Sequence, residues 1–351
     1  MVYQISVACV FIIHCFLLFS VDGRANVPAI IVFGDSTVDA GNNNQIITVG
    51  KANFKPYGRD FEGGKPTGRW SNGRLVTDYI SNALGIKPSI PAYLDPNFGI
   101  EDFATGVTFA SAGTGYDNLT AHITTVLPLW RELEYFKDYK EKLTRFQGKD
   151  KATQTLNEAL YIISLGTVDF LVNYFLFPVR SLEYNIDEYE KFLAQNAGNF
   201  IKDLYNLGAR KISISGSAPM GCLPMLRNLN IVMGRTCFEF YNKVGRDFNE
   251  KLIKLVDNVR KEVDGIQVVF SDVYGPVTKM IQNPCLYGFE EVKRGCCGTG
   301  MTEVSYLCML AKSLSCKDPT KYIFWDALHT TDKANGIIAD ILVKTSLAEL
   351  I

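Results

Sequence analysis

Ala29-Ile30-Ile31-Val32-Phe33-Gly34-Asp35-Ser36 decides the fold. Five apolar residues in a row suit a strand covered on both faces, the environment of a parallel sheet flanked by helices. The same character returns at 107–110, 160–165, 211–215 and 267–270. Between these runs lie longer stretches of helical periodicity at 74–84, 130–145, 186–207, 238–263 and 332–347, with Gly208 and Gly265 placed as C-terminal stops. Strand and helix alternate, which is the pattern of an α/β fold. The expected architecture is a mainly parallel five-stranded sheet between two helical layers. The segment 51–72, rich in Gly, Pro and aromatics, reads as a long surface loop that shapes a cleft beside the first strand.

Ser36 follows the first strand directly, at the carboxyl end where open α/β sheets bind ligands. A hydroxyl needs a base to become a nucleophile, and histidine is the usual one because it titrates near neutrality. Beyond the first 23 residues the chain has two histidines, His122 and His329. His329 stands in Phe324-Trp325-Asp326-Ala327-Leu328-His329, three residues after a carboxylate able to orient an imidazole. His122 has no carboxylate so close in sequence. The run Gly41-Asn42-Asn43-Asn44 reads as a turn.

Composition narrows the class. Among 351 residues, 47% are hydrophobic and 21% charged, so a sizeable core is available, and a formal net charge of −1 argues against a nucleic-acid partner. The G-x-S-x-G elbow, the H-E-x-x-H metal motif, the Walker sequence and the dinucleotide fingerprint are all missing from the sequence, so neither metal nor cofactor is expected. No linker or repeat divides the chain, and 24–351 is expected to be one domain. Residues 5–19 are mostly apolar, shorter than the roughly 20 residues of a membrane span, and are followed by small residues up to Gly23. They read as a signal peptide, 1–23, of a secreted, extracellular protein. Seven cysteines then remain, none in C-x-x-C spacing, which suits disulfides in an oxidising compartment. Nearness in sequence pairs Cys222 with Cys237 and Cys308 with Cys316, leaving Cys285 for Cys296 or Cys297. Asn118-Leu119-Thr120 is the one glycosylation sequon.

Four ordered blocks resemble the plant GDSL esterase/lipase family, a branch of the SGNH hydrolases. They are Phe33-Gly34-Asp35-Ser36-Thr37-Val38-Asp39-Ala40-Gly41-Asn42-Asn43-Asn44, Gly106-Val107-Thr108-Phe109-Ala110-Ser111-Ala112-Gly113, Ser164-Leu165-Gly166-Thr167-Val168-Asp169-Phe170 and the block ending at His329. The resemblance implies a flavodoxin-like three-layer α/β/α sandwich and a cofactor-free serine esterase acting on lipid or other small esters. It implies Ser36 as nucleophile, Asp326 and His329 as its base, and an oxyanion hole built from the backbone N–H groups of Ser36 and Gly113. The family's third oxyanion donor is an asparagine in G-x-N-D, and here Val168 occupies that position. Asn173 is the alternative amide. Thr330 stands where relatives often carry proline. Loss of one oxyanion donor costs about two to three orders of magnitude in rate. The second expectation is therefore a catalytically impaired relative that binds an acyl or glycan ligand in the same cleft.

Overall fold

The computed structural model describes residues 27–351, so the expected leader, with Cys9 and Cys15, lies outside the described residues. Five strands form one parallel sheet in the order β2-β1-β3-β4-β5: β1 Ile30–Gly34, β2 Gly106–Thr108, β3 Leu160–Ser164, β4 Lys211–Ser215 and β5 Gln267–Ser271. This is the flavodoxin-like order, with the switch point between β1 and β3. The register pairs Phe33 with Ile163, and Ile163 with Ile214, so these three side chains share one face.

That face packs on α3 (Leu129–Gln147), α5 (Ile186–Asn206) and α6 (Glu239–Glu262). Phe33 centres the packing, its ring 5.6 Å from Phe136 on α3 and 5.3 Å from Phe200 on α5. The opposite face carries Ile162, Ser213 and Ser215 and is covered by α1 (Val76–Ala83), α7 (Tyr274–Gln282) and α8 (Asp332–Lys344). The result is a three-layer α/β/α sandwich. Two shorter helices, α2 (Asn118–Thr124) and α4 (Lys149–Glu158), complete the set used below.

The strands and the five long helices agree with the sequence expectations to within a few residues. Three features were not anticipated. Helices α2, α4 and α7 are one. A π-helix over Asp169–Leu176, directly after β3, is another. The third is a two-stranded parallel sheet of β6 (Glu291–Gly295) and β7 (Tyr322–Phe324), whose second strand delivers the segment carrying Asp326 and His329.

The segment 51–72 corrects the expectation of a surface loop in part: Asn53, Lys55, Asp60, Glu62 and Lys65 are exposed, but its C-terminal end turns inward. Tyr57, Arg69, Trp70, Ser71 and Asn72 are all buried. Arg69 forks onto both carboxylate oxygens of Asp78, at 2.8 and 2.9 Å, which neutralises a buried guanidinium. The disulfide expectation is also corrected in part. Cys222–Cys237 forms, but Cys296 joins Cys316, Cys297 joins Cys308, and Cys285 is free and exposed. Chain path overrides nearness in sequence here: the segment after Cys297 folds back until the Cys316 N–H donates to the Cys296 carbonyl at 2.7 Å. Two consecutive cysteines then each meet a different partner. No described helix is long and apolar enough to cross a membrane.

Candidate active site

Ser36 is held at the tip of a tight turn leaving β1. The strand ends at Gly34, whose φ of 149° brings it so near the Ser164 carbonyl that a Cβ would lie 2.3 Å from the oxygen. Its N–H donates to the buried Glu132 carboxyl at 3.0 Å, and the Asp35 N–H donates to Ser164 O at 3.1 Å. Asp35 then accepts from the Thr37 N–H at 2.9 Å and the Thr37 hydroxyl at 2.7 Å, which closes the turn around Ser36.

The histidine arrives from the other end of the chain. After β7, Asp326 Oδ1 accepts from the N–H groups of Leu328 (2.8 Å) and His329 (2.7 Å), and this turn swings the imidazole back over its own carboxylate. His329 Nδ1 lies 2.8 Å from each Asp326 oxygen, and His329 Nε2 lies 2.7 Å from Ser36 Oγ. Asp326 is fully buried, while Ser36 and His329 keep 9% and 8% of their surface, which leaves the reactive edge reachable. The three sequence-selected residues thus meet in one hydrogen-bonded line. A hydroxyl so placed can pass its proton to the imidazole as it attacks, and the carboxylate stabilises the imidazolium that results. His122 is exposed on α2 and takes no part.

Two residues of the 51–72 segment complete this constellation, and the sequence offered no local signal for either. The Tyr57 hydroxyl donates to Asp326 Oδ2 at 2.7 Å and itself accepts the Ser305 N–H at 2.8 Å. The Trp70 ring packs 5.0 Å from the His329 ring. Thr330 donates its hydroxyl to Asn335 on α8.

Gly113 closes the loop after β2. Its φ is 105°, and a Cβ would meet Thr124 Oγ1 at 3.0 Å, so glycine is required there. The asparagine run does more than turn. Asn42 Nδ2 donates to the carbonyls of Thr108 (2.9 Å) and Ala110 (2.8 Å), Asn43 Nδ2 to that of Ala112 (2.9 Å), and Asp39 Oδ2 accepts the Ala112 N–H at 3.1 Å. The serine block therefore fixes the backbone that presents Gly113. Among the described residues, the N–H groups of Ser36 and Gly113 have no protein acceptor.

Val168 is half-buried at the entry to the π-helix. The alternative amide is not free. Asn173 is fully buried, and its Nδ2 is committed to Asp117 Oδ2 (2.9 Å), Tyr189 OH (3.2 Å) and Thr120 Oγ1 (3.3 Å). Asp169, next to Val168, accepts the Tyr116 N–H at 2.8 Å and the Asp117 N–H at 3.2 Å, tying the β3 exit to the loop beyond Gly113.

Acidic groups crowd this end of the sheet, and burial dominates them all. It pushes Asp39 up to about 6, opposed by backbone N–H donors, and Asp169 up to about 7, opposed by the Thr120 hydroxyl and backbone N–H donors. Asp35 is raised and Glu132 raised well above the carboxylate range by the same cause. No cluster of metal-binding side chains occurs among the described residues.

The family model described as GDSL-like Lipase/Acylhydrolase matches residues 30–342. The chain belongs to this family. It is similar to a GDSL esterase/lipase of Arabidopsis thaliana at 54% identity over 320 residues, 91% of each chain. A second from the same plant is 52% identical over 324 residues, 92% of each, and a third is 50% identical over 320 residues, 91% of each. Membership of the GDSL family makes this chain a hydrolase acting on ester bonds, and it does not favour the reading of a binding protein that has lost catalysis. Asn118 is exposed at the start of α2, whereas the sequon hydroxyl of Thr120 is buried against Asp169.

Proposed function

We propose that this GDSL hydrolase cleaves carboxylic esters through an acyl-Ser36 intermediate. Ser36 Oγ attacks the carbonyl carbon as its proton passes to His329 Nε2, and the backbone N–H groups of Ser36 and Gly113 receive the oxyanion. Collapse breaks the bond to the alcohol oxygen, which takes the proton from His329. Water then repeats the sequence, losing its proton to His329 and releasing the carboxylic acid with Ser36 restored. The observation that carries this reading is the unbroken line from Ser36 Oγ through His329 to the buried Asp326, at 2.7 and 2.8 Å. Lipid acyl esters and small esters both suit the chemistry.

Residues 24–351 are read as one hydrolase domain exported behind a cleaved leader, in line with its three disulfides, with a glycan on Asn118. The buried Thr120 hydroxyl means that glycosylation would precede folding of α2. The test of the catalytic reading is labelling by a fluorophosphonate probe together with hydrolysis of p-nitrophenyl esters. Both should vanish in Ser36→Ala and fall by several orders of magnitude in His329→Ala. Retention of more than about a tenth of turnover in Ser36→Ala would overturn it.

A further inference from the structure

A cavity of about 110 Å³ runs from the imidazole into the interior, between the sheet face bearing Ile162 and the helices α1, α7 and α8. His329 and Trp70 stand on its wall, and so do Ile80, Val277, Ile338 and Leu342. Ser36, Gly113 and Val168 are not themselves on that wall, although Asp35, Thr37 and Thr167 beside them are. The asymmetry is informative because the four groups around a tetrahedral ester carbon have fixed destinations. The attacking oxygen is Ser36 Oγ, and the oxyanion goes to the N–H groups of Ser36 and Gly113. The leaving oxygen must sit at His329 Nε2, which returns the proton to it. The space beside the imidazole is therefore the space next to the leaving oxygen.

We infer that this cavity binds the carbon chain of the alcohol half of the ester, while the acyl half lies outside it. The inference rests on the Ser36 reading above and deepens it. The chain is aliphatic. Three hydroxyls on the wall are already paired within the protein and ask for no polar partner, Thr37 with Ser164 at 2.9 Å, Ser213 with Ser271 at 2.7 Å, and Ser215 with the Ile163 carbonyl at 3.3 Å. The helical side supplies methyl groups from Ile80, Val277, Ile338 and Leu342. One buried polar atom on the wall lacks a partner, the indole N–H of Trp70. Trp70 packs against His329, so an ester oxygen held beside the imidazole would give it one.

The test uses two ester series followed by acid release. One keeps the acetyl group and lengthens the alcohol from methyl to hexyl; the other keeps the methyl alcohol and lengthens the acyl group from acetyl to hexanoyl. In the wild type kcat/KM should rise at least about tenfold from methyl to butyl acetate, since each buried methylene is worth about a factor of three to four, and should change little along the acyl series. Leu342→Phe should bring the butyl-to-methyl ratio of the alcohol series down to about one. Leu342→Ala should extend the rise to longer alcohols, an opposite effect that a folding defect would not produce. If the two variants move the acyl series instead, or if both series are flat in the wild type, the assignment is overturned. Loss of methyl acetate turnover in Ser36→Ala separates the two questions: methyl acetate cleavage that survives that change sinks the Ser36 reading itself, whereas Ser36-dependent cleavage with a flat alcohol series sinks only the assignment of the cavity.

Discussion

Val168→Asn should make the protein a faster esterase. With Asn173 committed to Asp117, Thr120 and Tyr189, the proposed oxyanion hole has two backbone donors and no side-chain amide. A donor of this kind is worth about 2.7 to 4 kcal/mol where the site is dry. Val168 is only half-buried, so solvent screening reduces the gain, and about 1.4 kcal/mol, or tenfold in kcat/KM, is a conservative expectation. The backbone imposes little cost. Val168 has φ −66° and ψ −36°, ordinary helical values, and valine and asparagine differ by only tenths of a kcal/mol in such a conformation. The assay is kcat/KM on p-nitrophenyl butyrate, with the rate of fluorophosphonate labelling as a second readout and Val168→Leu as a control of similar size without the amide. Asparagine should accelerate both readouts and leucine neither. An unchanged kcat/KM in a folded Val168→Asn protein would refute the reasoning, because it would mean that the oxyanion is already fully served.

Three further outcomes are expected. Tyr57→Phe removes a donor to a buried carboxylate and strands the Ser305 N–H, so stability should fall by about 1.5 to 3 kcal/mol and kcat by about tenfold, read by thermal unfolding and ester hydrolysis. Asp39 and Asp169 hold protons in the folded chain, up to about 6 and about 7, that the unfolded chain releases near 4; stability therefore declines as pH rises through that window, by at most about 4 kcal/mol for Asp169. The unfolding temperature should be higher at pH 5 than at pH 7.5, and Asp169→Asn should shrink the difference. Among the described residues, alkylation of the native protein should tag Cys285 alone, with six more thiols appearing after reduction of the three disulfides, as counted by peptide mass.

What could be read in advance follows from the range of each signal. Strands β1 and β3 are covered on both faces, so their runs of apolar residues declared them; β7 is only three residues long, and β6 carries Glu291, Lys293 and Arg294, which no strand pattern distinguishes from loop. Asp326 and His329 are three positions apart, and their turn is a local event. The contact between Tyr57 and Asp326 spans 269 positions, and no pattern in the 51–72 segment announces it. A glycine- and proline-rich composition suggested exposure, yet Tyr57 and Trp70 are buried because the triad needs a floor and a side wall there. Cys222 and Cys237 pair as their nearness suggested, but the remaining pairings failed for a related reason: the pairing of 296 with 316 depends on a fold-back that sequence spacing does not encode.

Ser36 and its base are 293 residues apart, so they leave the ribosome at different times. At about 5 to 20 residues per second, the serine waits roughly 15 to 60 s before His329 has been made. Throughout that interval the hydroxyl has no general base, and the indole and phenol of the 51–72 segment have nothing to close upon. Synthesis thus carries its own delay. A chain that attacks esters acquires its reactivity only when the segment carrying Asp326 and His329 has been made and folded.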